Sequence, residues 1–388
     1  MSQWKKSCEK RRRYSVSEII LDARMIRHSG IGTYVRGLLG EYRNHPFFQK
    51  HSFGLALPPS LFSEGDSVGK LYSFQSPIYS LSEQVAYPFQ TRNCALWHAP
   101  HYNIPWVKGK TRLVVTVHDL IHWIFQKEFY SPLQAAYVRL LFQRLAKSAD
   151  RIITVSQRTR DDLIQYFKIP AEKIRVIYEG VSEEFFSSSN SEAHRQFLRE
   201  RNLPEQFLLY VGLMKPHKNV ERLIRVFKKL RREGKIKSPL VLVGKKDKHY
   251  PKGFESTRDL ASGDGIHYLP GVSSRQELVA LYHNALALVH PSLYEGFGLT
   301  CLEAMASGLP VAVSRAASLP EVVGEAGYYF DPYSEDSLAE ALTTMESEER
   351  LRKELAQRGR ERAREFSWAK TAEETIQVYR EVLEGSSS

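Results

Sequence analysis

The 388-residue sequence is poor in cysteine: there are three, Cys8, Cys94 and Cys301. An odd, scattered set offers neither a disulfide framework nor metal-ligand spacing and points to a reducing, cytosolic setting. Long apolar runs are missing as well. None approaches the roughly 18–20 residues of a membrane-spanning helix, and the early stretch "KKSCEKRRR" is no apolar leader. No Walker A loop, G-x-G-x-x-G fingerprint, Asp-x-Asp pair, zinc signature or solenoid-length repeat occurs. These absences exclude a spanning transporter, a disulfide scaffold, a P-loop NTPase and a repeat protein.

What is present fits a soluble α/β protein. Hydrophobic residues make up 42% and charged residues 26%, as in globular chains. The length exceeds one ordinary core, so two domains are expected. Charge is distributed unevenly. Residues 1–150 hold 20 Lys and Arg against 10 Asp and Glu; the remaining 238 hold 35 against 34. A basic first half suits an anionic partner such as lipid, nucleic acid or a phosphorylated acceptor; a plain solvated basic face would look the same. Nucleic acid is disfavoured, because no basic strand face carries interleaved aromatics.

Short β-rich runs alternate with helical ones, which argues for parallel sheets built from βαβ units. In the first half the strands are "EIILDA", "FGLALP", "LWHAP", "RLVVTVHD", "RIITVS" and "IRVIYEG". The second half restarts with "FLLYVG", "LVLVG", "IHYLPG", "ALALVHPS", "PVAVS" and "GYYFDP". Between them, residues 182–206 turn polar and serine-rich, as a linker would. The expected architecture is two doubly wound domains facing a cleft, with ligands beyond the carboxyl ends of the strands.

The chemistry-bearing motifs sit at those strand ends. "LYEGFGLTCLE" reads as a loop with Glu295, then a helix with Glu303 in its second turn. Its glycines let a backbone approach a ligand, the helix aims N–H groups at negative charge, and two carboxylates can accept from vicinal hydroxyls. Helix capping or a plain turn are the structural alternatives. "YVGLMKPHKN" places Lys215, His217 and Lys218 before a helix capped by Asn219. Cations there oppose the helix dipole unless an anion, such as a diphosphate, is shared with them. Gly30-Ile31-Gly32 opens a helix after the first strand. Gly271 and Val272 end another strand, where a base could rest on backbone. His118 ends a buried strand, where it can hold a substrate or be a structural histidine bonded to Asp119.

With these pieces in order, the chain resembles the retaining glycosyltransferases of the GT-B fold, family four. The likeness runs from "ILDARMIRHSGIGTYVRGLL" to "FSWAKTAEETIQVYREVL" and is sharpest in "EGFGLTCLE" and "AMASGLPVAVS". It implies an acceptor-side domain over 1–185, a linker over 186–206 and a nucleotide-sugar domain over 207–368, with 369–388 packing back on the first. It also implies roles. Glu295 would bind the donor sugar, Glu303 the ribose, and Gly296, Phe297, Gly298, Leu299 and Thr300 would face sugar and phosphate. Lys218 would bind the diphosphate beside Gly212, with Gly30 and Gly32 closing from the other domain and His118 touching the sugar. Many relatives carry an arginine where this sequence has Leu213. The implied reaction moves a hexose, mannose first, from GDP-mannose or a UDP-hexose to a glycan or lipid-linked acceptor. It needs no metal and no further cofactor, and would take place in the cytoplasm with peripheral contact to an anionic membrane. A nucleotide-sugar epimerase or hydrolase on the same plan is the rival; unlike a transferase, it would need no acceptor.

Overall fold

The computed structural model describes residues 18–61, 69–78, 80–92, 94–126, 131–187, 192–245 and 265–385. Cys8 and the basic "KKSCEKRRR" stretch lie outside them. Among the described residues seven strands form the first sheet: β1 (Glu18–Asp22), β2 (Ser52–Leu57), β3 (Lys70–Ser73), β4 (Leu96–Ala99), β5 (Arg112–Val117), β6 (Arg151–Thr154) and β7 (Ile174–Val176). Six form the second: β8 (Phe207–Val211), β9 (Leu240–Val243), β10 (Ile266–Leu269), β11 (Ala285–His290), β12 (Val311–Ser314) and β13 (Gly327–Phe330). Every pairing is parallel, in the orders β3-β2-β1-β4-β5-β6-β7 and β10-β9-β8-β11-β12-β13. The expected pair of doubly wound sheets is therefore present. Apolar β-branched runs such as "LVVTV" and "LVLV" make this possible, because helices bury both faces of each sheet. Each wholly buried Ile, Val or Leu contributes on the order of 1.5–3 kcal/mol.

Strand order reverses between β1 and β4 and between β8 and β11, which opens a crevice at the carboxyl end of each sheet. The loops leaving β1, β5, β8 and β11 are the ones that carry Gly30, His118, Lys218 and Glu295.

Several details differ from the sequence reading, which also did not include the helix Glu349–Ala363. The strand β3 was not anticipated: "KLYS" is short, polar and at a sheet edge. Nor was the helix Leu81–Thr91, which Pro88 interrupts in sequence and Ser80 caps by accepting from the Glu83 N–H. The stretch 186–206, expected as a linker, contains the helix Glu192–Glu200. Its buried Phe197 and Leu198 join the core of the second sheet, two apolar side chains hidden in a polar average. Finally, Asn219 does not cap its helix with its side chain. It stands in the left-handed region (φ 56°), and its amide instead donates to the carbonyls of Pro291 and Pro332, at 3.1 and 3.0 Å.

The last helix, Trp368–Glu384, lies on the first sheet. Trp368, Ala372, Ile376 and Tyr379 share one core with Ile19, Tyr34, Leu38 and Leu96. Among the described residues no helix is long and apolar enough to cross a membrane.

Candidate active site

A dense polar cluster forms where β11 ends. His290 closes the strand with its Nε2 2.7 Å from Glu295 Oε1, to which Ser292 Oγ donates at 2.6 Å. The exit loop of β8, across the switch point, supplies Lys218, whose Nζ donates to both Glu295 oxygens at 2.6 and 2.8 Å. Burial works against the Glu295 carboxylate, but the Lys218 charge and the His290 hydrogen bond outweigh it and hold the group well below the ordinary range. Glu295 is thus ionised at neutral pH. The sequence reading assigned Lys218 and Glu295 to different parts of a ligand; in the structure they also hold each other. His290 and Ser292 were missed as partners of Glu295. The signal was their place at a strand's end, five and three residues before it.

The neighbouring His217 is buried, and burial followed by the Lys218 charge pushes its pKa down to about 3. Its ring meets Phe125 of the first half, with centroids 5.9 Å apart.

The loop after Glu295 is pressed against the first sheet. A Cβ at Gly296 would stand 2.0 Å from the His118 carbonyl oxygen, so no larger residue fits there. Ser156 Oγ donates to the Gly296 carbonyl at 2.7 Å, and Tyr294 Oη to Asp162 Oδ2 at 2.6 Å. The Glu321 carboxylate accepts the Gln157 N–H at 2.7 Å, capping a helix of the other sheet. Gly298 follows at φ 114°, which favours glycine, and opens the helix Leu299–Ala306 without a side-chain cap. The first N–H groups of that helix, at the partly exposed Leu299 and Thr300, are those a helix cannot satisfy internally. Phe297 itself is buried in the second sheet's core.

His118 stands at the end of β5 with Nδ1 2.9 Å from Glu179 Oε1 and Nε2 3.2 Å from the Pro100 carbonyl. Asp119, the partner considered from sequence, instead accepts the Ile121 N–H at 2.9 Å. Nothing local pointed to Glu179, which is 61 positions away.

Glu303 lies in the second turn of its helix and accepts from Tyr282 Oη at 3.2 Å. Burial pushes its pKa up to about 7, against the Tyr282 hydrogen bond and the Arg275 charge. Arg275 also faces the first half: after burial, its charge is what lowers the pKa of Arg36. Gly212 ends β8 with its N–H on the Val243 carbonyl at 2.9 Å, and Gly271 and Val272 follow β10. Gly30 and Gly32 begin the helix Ile31–Tyr42 of the first half.

Two strand-to-helix junctions, a lysine–carboxylate pair and a histidine at facing strand ends are the parts of a site for a phosphorylated, hydroxyl-rich ligand. Residues 30–185 match the family model for glycosyltransferase family 4, and residues 191–362 that for glycosyl transferases group 1. The O-antigen chain mannosyltransferase B of Escherichia coli is 31% identical over 286 residues, 74% of either chain. This chain belongs to glycosyltransferase family four. The family-four chain also superimposes on solved structures. Sucrose-phosphate synthase from Thermosynechococcus elongatus matches with a TM-score of 0.74 at 22% identity, over 95% of this chain and 100% of that one. HepE of Anabaena, solved with UDP and glucose, gives 0.74 at 18% identity, over 94% and 99%. At such identities the likeness concerns the fold, which is GT-B. The protein is a glycosyltransferase.

Proposed function

We propose that this glycosyltransferase moves a mannosyl group from a nucleotide-diphosphate sugar to a glycan or lipid-linked acceptor, with retention and without a metal. The Lys218–Glu295 pair beside the uncapped helix Leu299–Ala306 carries this reading. In this reading a full positive charge and helix N–H groups would meet the charge that a departing diphosphate develops, next to a carboxylate that can accept sugar hydroxyls. The departing phosphate oxygen takes the acceptor's proton on the same face, so no enzymic nucleophile is needed. Arg275, which ion-pairs with Glu184 at 3.0 Å and whose charge reaches Arg36, is our candidate for the charge that Leu213 does not supply. Mannose is preferred because relatives are mannosyltransferases; a UDP-hexose is the competing donor. Product analysis with GDP-mannose, UDP-glucose and a lipid-linked acceptor tests this. Transfer from GDP-mannose that requires acceptor and survives excess EDTA is expected. Acceptor-independent turnover would turn the reading toward an epimerase or hydrolase, and rescue of an EDTA-treated enzyme by Mn²⁺ would overturn the metal-free mechanism.

We further place the enzyme at the cytoplasmic face of an anionic membrane. The helices Leu81–Thr91 and Pro132–Ser148 cover one face of the first sheet, bridged through Gln84, Trp106 and Arg144. Their outer faces expose Val85, Phe89, Leu133 and Leu140, and Val107, next to the bridging Trp106, is exposed as well; Leu133 is 81% exposed. Exposed Arg92, Lys110, Arg139 and Lys147 flank these apolar side chains. That mixture suits anionic headgroups over an acyl boundary. Flotation with phosphatidylglycerol vesicles should recover the protein at low salt and lose it as salt rises. The variant Phe89→Glu/Leu133→Glu should stay behind, and deleting Met1–Arg13 should weaken recovery. Equal recovery with neutral vesicles, or of the double variant, would leave this face as ordinary solvated surface.

A further inference from the structure

A buried chain of hydrogen bonds joins the last helix to the back of His118. Tyr42 Oη donates to Tyr379 Oη at 3.2 Å, and Tyr379 Oη lies 2.6 Å from His98 Nδ1. His98 Nε2 is 2.8 Å from Thr116 Oγ1, which is 3.0 Å from Tyr34 Oη. The Tyr34 ring then meets the His118 ring edge-on, with centroids 4.9 Å apart and planes at 84°. All five members are buried, and they come from four elements: the helix Ile31–Tyr42, β4, β5 and the last helix.

One arrangement of the protons satisfies every member of this chain: Tyr42 donates to Tyr379, and the Tyr379 hydroxyl donates to His98 Nδ1. Nε2 then carries the hydrogen and donates to Thr116. This requires a neutral imidazole, and burial, followed by the His118 and His101 charges, pushes the His98 pKa down to about 3. The surroundings are the apolar core of Ile19, Leu38, Leu96 and Ile376. Apolar side chains of the same shape would fill that space with comparable stability, so the polar chain is not needed to hold the helix down. What a satisfied buried network adds is a single geometry. Here that geometry fixes the Tyr34 ring, and with it the plane of the imidazole whose nitrogens address Glu179 and Pro100.

We propose that Tyr379, His98, Thr116 and Tyr34 form a positioning chain that holds the His118 ring, so that docking of the last helix is a condition for full turnover. The inference rests on His118 as a substrate-contacting residue of the proposed transferase. Three variants test it against a structural role. Thr116→Val keeps shape and removes the hydroxyl, Thr116→Ser keeps the hydroxyl, and Tyr379→Phe removes the far end while keeping its ring. Thr116→Val and Tyr379→Phe should each lower kcat roughly tenfold, the scale of a slightly misplaced reacting group. Donor KM and nucleoside diphosphate Kd should stay within about twofold, and the His118 imidazole resonances should shift. Thr116→Ser should restore most of the loss. Unchanged kcat in Thr116→Val and Tyr379→Phe, where His118→Ala is inactive, would overturn the chain alone. So would a loss that follows Tm and is not rescued by serine. A fully active His118→Ala would overturn the site reading together with it.

Discussion

Lys218→Ala is expected to lower kcat by about 10²–10³-fold, the cost of losing one preorganised donor to a developing negative charge. Lys218 brings a full charge to the end of β8, in a crevice where it and Glu295 are both largely shielded from water. An interaction there counts for more than on the surface. Leu213 adds no charge at the exit of β8, so the lysine carries more of the load there. Glu295 would keep His290 and Ser292 as partners in the variant, so it should stay in place and the loss should report the missing charge. Steady-state kinetics with the preferred donor decide the matter. Because Lys218 and Glu295 bond directly, Lys218→Ala and Glu295→Ala should be strongly non-additive in turnover. Glu295→Ala alone should cripple transfer while leaving nucleoside diphosphate affinity nearly unchanged. A fully active Lys218→Ala would remove the lysine from the mechanism, and a Glu295→Ala that loses plain nucleotide binding would move that residue off the sugar.

The second large effect is expected at Glu303. Truncation to alanine should weaken nucleoside diphosphate by about 1–3 kcal/mol, the cost of leaving buried hydroxyls without an acceptor. Its pKa of about 7 adds a pH signature. In the empty site the carboxyl is protonated below that value, whereas a carboxylate accepts best from a ribose diol. Binding should therefore release a proton, and affinity should rise between pH 6 and pH 8. The same shift works the other way on folding. The folded state holds the proton more tightly than the unfolded chain, so this group's contribution to stability declines as pH rises from the ordinary carboxyl range through 7. Glu303→Gln should abolish the pH slope of binding measured by calorimetry with the nucleotide sugar, whose phosphates do not titrate in this range. A slope that persists in the variant, or an unchanged affinity in Glu303→Ala, would return Glu303 to a structural role on Tyr282.

Much of this site could be read in one dimension because its parts follow strands. Doubly wound parallel sheets present their ligand loops at the carboxyl ends of the strands, so His118, Lys218 and Glu295 could be placed from the apolar runs that precede them. The glycines of "EGFG" were legible for a similar reason: Gly296 has no room for a Cβ against His118, and Gly298 stands at positive φ. The helix inside the expected linker was missed because averaging over residues 186–206 concealed the two buried side chains Phe197 and Leu198. The helix around Pro88 escaped because a proline usually marks a break, whereas its buried Glu83, Tyr87 and Thr91 recur at the helical period.

The sequence by itself determined the two parallel sheets, the strand-end positions of the charged loops and the kinship to family-four glycosyltransferases. These rest on periodicity and local spacing, which a chain carries wherever it goes. Only the tertiary structure decided who touches whom. That His118 leans on Glu179 rather than Asp119, that Lys218 and Glu295 are bonded, and that Tyr379 reaches His98 across 281 positions are consequences of packing. Long-range partners depend on which element lands beside which, and a buried carboxylate or imidazole takes whichever partner the completed core leaves within reach.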